Sequence, residues 1–389
     1  MSLYGRGAIP SPYGAPMLLV ITTVGALAFG AGYMIKTISS VNVGKMITES
    51  PRTSLIPILT DVEIANLPYP PNGLPGARDV ASPYGSLRVY EWGPETGRKV
   101  LLLHGISTPC IALRSVAQQL VERGCRVMLF DLWGRGYSDG PTDVPYDVQL
   151  YTSQILLAIT SSPLSWTGSS SDGFSLVGYS LGGGIAVAFT SYFPHLVSSL
   201  VLLAPSGLLR RKSLKVVNKL LSYGLLPESI LRWRISRQLN KLKETSEEQN
   251  TITEVPVKSV ESTSPASDSR PRLELDSSEV VAWQLRHHPG FPTAYLSSLE
   301  RGPVIEQHAY YRRLGRTLSA DRKALRGDAS ASVRPRLGDS KVLVILGEAD
   351  KVIEKDETVE DAIGTLGVDN VEFRFVDAGH DFPITRAKE

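Results

Sequence analysis

Residues 174–184 read Phe-Ser-Leu-Val-Gly-Tyr-Ser-Leu-Gly-Gly-Gly, and the apolar run Ile185-Ala-Val-Ala-Phe189 follows at once. Phe174 to Val177 has the composition of a short buried strand, and the run after Gly184 that of a buried helix. Between them, Gly178-Tyr179-Ser180-Leu181-Gly182 has the G-x-S-x-G spacing of a nucleophile elbow, a tight turn that lifts a serine hydroxyl above the sheet. Such a turn is strained at the serine, and glycines stand where a side chain would strike the neighbouring strand or helix. The hydroxyl of Ser180 is thereby set at a helix N-terminus, where free N–H groups and the dipole favour negative charge. A Gly-rich turn without chemistry has the same spacing, so the remaining parts of a site have to be found elsewhere in the chain.

A serine hydroxyl is a poor nucleophile by itself and needs a base, an acid to orient that base, and donors for an oxyanion. Lys341-Val-Leu-Val-Ile-Leu346 reads as an apolar strand ending in Gly347-Glu-Ala-Asp350. A second strand-like run, Val371-Glu-Phe-Arg-Phe-Val376, ends in Asp377-Ala-Gly-His380. The candidates are therefore Ser180 as nucleophile, Asp350 as orienting acid and His380 as base, in an order that neither common serine-protease fold uses. Glu348, Glu354 and Asp356 compete with Asp350, which fits the G-x-x-D spacing best. Upstream, Val100-Leu-Leu-Leu103 runs into His104-Gly105-Ile106-Ser107. The oxyanion donors are expected to be the main-chain N–H groups of Leu181 and Ile106. His104, Gly105 and Tyr179 border them as candidate substrate-binding residues, with His104 shaping its loop rather than acting as a base.

Together these stretches resemble the α/β-hydrolase family over roughly residues 77–389. A further family-like motif, Asp131-Leu-Trp-Gly-Arg-Gly-Tyr-Ser-Asp139, follows the strand Cys125–Phe130. The resemblance implies an α/β fold with a mostly parallel central sheet flanked by helices and a helical cap inserted over the site. It also implies a serine esterase or lipase that needs no cofactor, and a structural role for Asp139. Ser180 speaks against the family's epoxide hydrolases and haloalkane dehalogenases, which use an aspartate nucleophile. Ester or lipid hydrolysis, carbon–carbon bond hydrolysis, acyl transfer and a non-catalytic ligand-binding member stay open. The chain is similar to membrane-anchored monoacylglycerol lipases, which favours a lipid ester.

Composition excludes several other classes. At 389 residues, with 42% hydrophobic and 21% charged, the chain is ordinary for a globular protein with a sizeable core. A formal charge of +2 makes no case for nucleic acid. Cys110 and Cys125 are too few for a disulfide framework, and no zinc, Walker or dinucleotide fingerprint is present. His195, His287, His288 and His308 have no evident partners and are assigned to the surface or the cap.

The domain plan begins with a tail (1–14) and an uncharged stretch of 21 residues, Ala15 to Ile35. As a helix this stretch would span about 31 Å, enough to cross a bilayer core. A single-pass membrane anchor is expected, a signal segment ending at Ala26-Leu-Ala28 being the rival. The slight excess of Lys36, Lys45 and Arg52 over Arg6 favours a cytosolic catalytic domain. A Pro-rich linker (36–76), a first core part (77–205), a cap (206–340) and a second core part (341–389) follow. Within the cap, amphipathic helices are expected over 212–222 and after Pro227. Residues 210–243 hold ten basic side chains against one acid, which is either a solvated helical face or a surface that rests on anionic lipid. Residues 244–279 are Ser-, Thr-, Glu- and Pro-rich and expected to be disordered, and helix returns around Trp283. Nine residues follow His380, barely one or two turns where the family usually has a further helix, so a loosely held histidine loop is expected.

Overall fold

The computed structural model describes residues 46–167, 173–210, 276–327, 337 and 341–388, without the side chains of 324–327. The chain divides into two compact units, Met1–Met46 and Ile47–Glu389. The expected span Ala15 to Ile35, the basic helices between 212 and 243, and residues 244–275 lie outside the described residues. Among the described residues no helix is long and apolar enough to cross a membrane.

In chain order the elements are β1 (Ile47–Thr48), α1 (Pro51–Ser54), α2 (Asp61–Ala65), β2 (Ala77–Ser82), β3 (Gly85–Trp92), β4 (Lys99–Leu103), α3 (Arg114–Glu122), β5 (Arg126–Phe130), β6 (Gly140–Pro141) and α4 (Val148–Thr160). Then come β7 (Phe174–Tyr179), α5 (Leu181–Tyr192), β8 (Val197–Leu203), α6 (Ser277–His287), α7 (Phe291–Arg301), α8 (His308–Gly327), β9 (Val342–Gly347), α9 (Lys355–Leu366), β10 (Val371–Val376) and α10 (Phe382–Thr385).

Eight strands form the central sheet in the order β10-β9-β8-β7-β4-β5-β3-β2. Pairing is parallel from β10 to β5, and antiparallel where β3 meets β5 and β2. The composition accounts for this layout. Val100–Leu103, Val127–Phe130 and all of Phe174–Tyr179 are buried, the signature of central strands covered on both faces. The edge strand β2 alternates instead, reading Ala-Arg-Asp-Val-Ala-Ser with half-buried and exposed positions.

Strand order explains where a site can form. After β4 the chain goes to β5 on one side, and it returns to β7 on the other. The loops leaving the C-terminal ends of β4 and β7 therefore diverge around a crevice, the topological switch point at which open α/β sheets bind ligands.

The segment expected to be a linker is part of the fold from Ile47 onward, which moves the start of the folded unit back from residue 77. β1 pairs with β6, and Ser50 N–H donates to Asp139 Oδ1 at 2.8 Å. Thr60 and Glu63 close a capping box on α2. Tyr69, in the Pro-rich stretch, is fully buried, and its hydroxyl donates to Asp131 Oδ2 at 3.0 Å. Tyr137 donates to the Tyr69 carbonyl. Prolines here set the path of a packed strap rather than a spacer. Asp139 is structural, as expected: its other oxygen accepts from Ser86 N–H at 2.8 Å.

The cap boundary at 340 also moves. Helix α8 packs against α5 and α9, with Tyr311, Leu314 and Leu318 buried. Gly315 allows this closeness, since a Cβ there would lie 2.6 Å from the Leu366 carbonyl oxygen. Residues from His308 thus belong to the core, and Asp276 to Glu279, expected to be disordered, form the N-cap and first turn of α6. The break at His288 to Gly290 lies between α6 and α7, as expected.

His104 ties the ends of β4 and β5 together. Its Nε2 accepts from Leu132 N–H at 2.8 Å, and its Nδ1–H donates to the Gly105 carbonyl at 2.7 Å. Burial, helped by the nearby Arg135 charge, holds its pKa down to about 3, so the ring stays neutral with the proton on Nδ1.

Two outcomes are expected. Tyr69→Ala should lower the unfolding free energy by about 3–5 kcal/mol in urea titrations, as for other buried aromatics, whereas a linker residue would change it by under about 0.5. Below pH ~6.5 an unfolded His104 binds a proton that the folded ring refuses, so its contribution is intact above that pH and is lost toward pH 3. The slope of stability against pH between 6 and 4 should be lower in His104→Gln than in the wild type by about 1.4 kcal/mol per pH unit.

Candidate active site

Ser180 opens α5 with φ 53° and ψ −118°, a region that side chains other than glycine avoid. Backbone bonds hold it there. Its N–H donates to the Leu203 carbonyl at 3.0 Å, and its carbonyl accepts from Ser206 and Gly183 at 2.9 Å each. The elbow glycines are dictated by contact. A Cβ on Gly178 would lie 2.3 Å from the Gly182 carbonyl oxygen, and one on Gly182 would lie 2.3 Å from that of Leu103. The turn sets the serine beside the end of β4.

The three distant side chains meet. His380 Nε2 lies 3.0 Å from Ser180 Oγ, and His380 Nδ1 lies 2.8 Å from Asp350 Oδ2. The Asp350 side chain is fully buried, and its other oxygen accepts from Val352 and Ile353 N–H at 2.7 and 2.8 Å. Those two bonds aim Oδ2 at the imidazole. The competing acids are placed otherwise: Glu348 and Asp356 are exposed, and Glu354 caps α9 through Glu357 N–H. The loops carrying Asp350 and His380 are joined through Ala349 N–H to the Ala378 carbonyl, 3.1 Å. Behind His380 the single turn α10 packs on α3 and on the 3-10 turn Cys110–Leu113, with Phe382 and Pro383 buried.

The candidate oxyanion residues flank this group. Leu181 is the first residue of α5, so its N–H is among those a helix leaves unpaired. Gly105 lies against the elbow, where a Cβ would stand 3.4 Å from that of Ser180. Ile106, half-buried, comes next. Because His104 fixes the Gly105 carbonyl, the N–H of Ile106 in the same planar peptide is turned the opposite way. The Tyr179 ring packs on the His380 imidazole, with centroids 5.3 Å apart. His104 is fully buried with both nitrogens engaged by main chain, so it shapes the loop and is not available to contact a substrate.

The other histidines differ from the expectation in part. His195 is exposed, and His287 rests on the Trp283 ring. His308 lies 3.4 Å from Asp361, in a cluster where Arg210 forks onto both Asp361 oxygens at 2.9 and 2.8 Å. Arg210 is thus tied to α9 and does not belong to a free basic surface. His288 is fully buried, with Nε2 2.9 Å from the Ser138 carbonyl. Among the described residues no group of three or more His, Cys, Asp or Glu could hold a metal ion. Both cysteines are free thiols. Two buried residues near the site, Arg135 and Gln284, were not singled out from sequence. Arg135 stood inside the quoted motif Asp131–Asp139, while Gln284 had no signal beyond being a polar residue on the apolar face around Trp283.

A family described as serine aminopeptidase, S33 matches residues 94–268. A serine hydrolase-like protein of Danio rerio is 32% identical over 128 residues, 33% of this chain and 37% of that protein. An uncharacterized protein of Mycobacterium tuberculosis is 30% identical over 167 residues, 41% of this chain and 45% of that protein. The chain spans less than half the length of these curated relatives. Among solved structures, an esterase from Exiguobacterium antarcticum superposes with TM-score 0.53 at 16% identity, over 80% of this chain and 94% of that one. A membrane phospholipase A, titled a novel bacterial virulence factor, gives TM-score 0.53 at 16% identity over 96% of both chains. At these identities the structural likeness is one of fold. Sheet order, the match over residues 94–268 and these likenesses show that the chain has an α/β-hydrolase fold and is similar to serine hydrolase-like proteins.

Proposed function

We propose that the chain hydrolyses carboxylic esters through an acyl-enzyme on Ser180, with a lipid-like ester such as a monoacylglycerol as substrate. The observation that carries the reading is the unbroken line from Ser180 Oγ through His380 to Asp350, at 3.0 and 2.8 Å. In this reading His380 Nε2 takes the Ser180 proton as Oγ attacks the ester carbonyl, and returns it to the leaving alcohol. Asp350 holds the imidazole with its proton on Nδ1 and stabilises the cation formed in transit. The carbonyl oxygen, now negative, is received by the N–H groups of Leu181 and Ile106, on the order of 3 kcal/mol each. Water activated by the same histidine then cleaves the acyl-enzyme, and no cofactor takes part.

The lipid part of the proposal rests on sequence. The uncharged stretch Ala15 to Ile35 is long enough to anchor the chain in a membrane, and the basic residues that follow Arg210 suit an anionic surface. A hydrolase held there by a single N-terminal span, facing the cytosol, would meet its substrate in the bilayer.

A fluorophosphonate probe should label the full chain, and Ser180→Ala should abolish labelling while leaving the fold intact. Well-folded protein that resists the probe would instead favour a ligand-binding member of the fold. Asp350→Asn should lower kcat on a p-nitrophenyl ester by about 10³–10⁴-fold with little change in KM, because an amide no longer fixes the imidazole tautomer. A loss under tenfold in steady-state assays would remove Asp350 from that role.

A further inference from the structure

Three successive carbonyls in the loop after β4 are each held by a buried side chain. His104 Nδ1–H donates to Gly105 O at 2.7 Å, Arg135 Nε–H to Ile106 O at 3.2 Å, and Gln284 Nε2–H to Ser107 O at 2.9 Å. The first holder belongs to the loop itself, but the other two do not. Gln284 lies on α6, and its amide oxygen accepts from Gly136 N–H at 2.8 Å. Arg135 reaches α7 through Nη2, which donates to Ser298 Oγ at 2.9 Å and to the Ala294 carbonyl at 3.2 Å. Its Nη1 donates to the Trp133 carbonyl and the Tyr151 hydroxyl at 3.0 and 3.3 Å.

Arg135 is fully buried, and every one of these acceptors is neutral. Among the described residues no carboxylate pairs with it. A buried cation without a counter-ion costs several kcal/mol of desolvation, which neutral acceptors offset only in part. For stability alone, an apolar side chain of similar size would serve better. What the guanidinium does instead is bind the loop peptide of Ile106 and helix α7 with one rigid fork, something a flexible chain cannot do at both ends.

We propose that Arg135 and Gln284 are positioning residues for the Ile106 N–H, so that the seating of α6 and α7 decides whether this donor faces the Ser180 hydroxyl. This deepens the serine-hydrolase reading and rests on it. Oxyanion stabilisation falls steeply when a donor is displaced from its 2.7–3.1 Å optimum. A shift of α6 and α7 would draw Gln284 and the Arg135 fork with it. The ground-state ester would still bind, while the transition state would lose its donor.

The test measures kcat and KM on p-nitrophenyl butyrate with the full chain, and expresses kcat per Ser180 titrated by fluorophosphonate, so that unfolded protein does not count. Arg135→Met and Gln284→Met should each lower kcat by about 10–100-fold with KM within about threefold. Arg135→Lys should recover part of that loss, and Arg374→Met, at an exposed position, none should be lost. If Arg135→Met does not fold, Gln284→Met carries the test. A kcat per titrated Ser180 within threefold of wild type, or a loss confined to KM, would overturn the proposal. No titratable Ser180 in the folded wild type would overturn the functional reading, and this inference with it.

Discussion

A serine at positive φ at the end of β7, wedged between the ends of its parallel neighbours β8 and β4, is the constraint from which the site follows. Such a residue costs on the order of 1–3 kcal/mol and persists only where its surroundings over-determine it. Here the surroundings are the Leu203 carbonyl, the Ser206 and Gly183 amides, and glycines at 178 and 182 that leave no room for any other side chain. With Ser180 fixed, the loop after β4 must pass within contact of it, and the loops after β9 and β10 are the ones that can reach its hydroxyl. Parallel pairing puts all four loops at one end of the sheet. The geometry at the hydroxyl is thus inherited from strand order, with side chains only completing it.

Polar burial tells the same story at the next level. The carboxylate of Asp131 accepts from Cys110 and Tyr137 N–H and from the Tyr69 hydroxyl, binding three separate segments below the site. His104 can join β4 to β5 only as a neutral ring, since its Nε2 must accept from Leu132. Each group is satisfied, and satisfied buried networks are rigid. Rigidity is what an oxyanion site requires, because donors that must reorient during reaction lose their advantage.

Much of this was legible in the chain. Ser180, Asp350 and His380 follow apolar runs of strand length, so spacing alone could set each at a strand end, and chain order then singled out the fold. Asp350 could be preferred over its acidic neighbours because it fits the G-x-x-D spacing best. The failures have physical causes. Pro-rich composition around Leu67–Pro75 reads as spacer, but Tyr69 turns inward onto Asp131, a partner 62 residues away that no local pattern could reveal. The cap boundary was missed because α8 carries many charges, while its packing on α5 and α9 runs through a narrow stripe and the close approach at Gly315. Gln284 was invisible for a related reason: its two partners, Ser107 and Gly136, offer only main-chain atoms, which leave no trace in side-chain pattern.

The most direct measurement is a crystal structure of the full chain after reaction with a fluorophosphonate. Phosphorus should be bonded to Ser180 Oγ, with its phosphoryl oxygen about 2.7–3.1 Å from the main-chain nitrogens of both Ile106 and Leu181. An adduct on another residue, or a phosphoryl oxygen turned away from those two amides, would contradict the account.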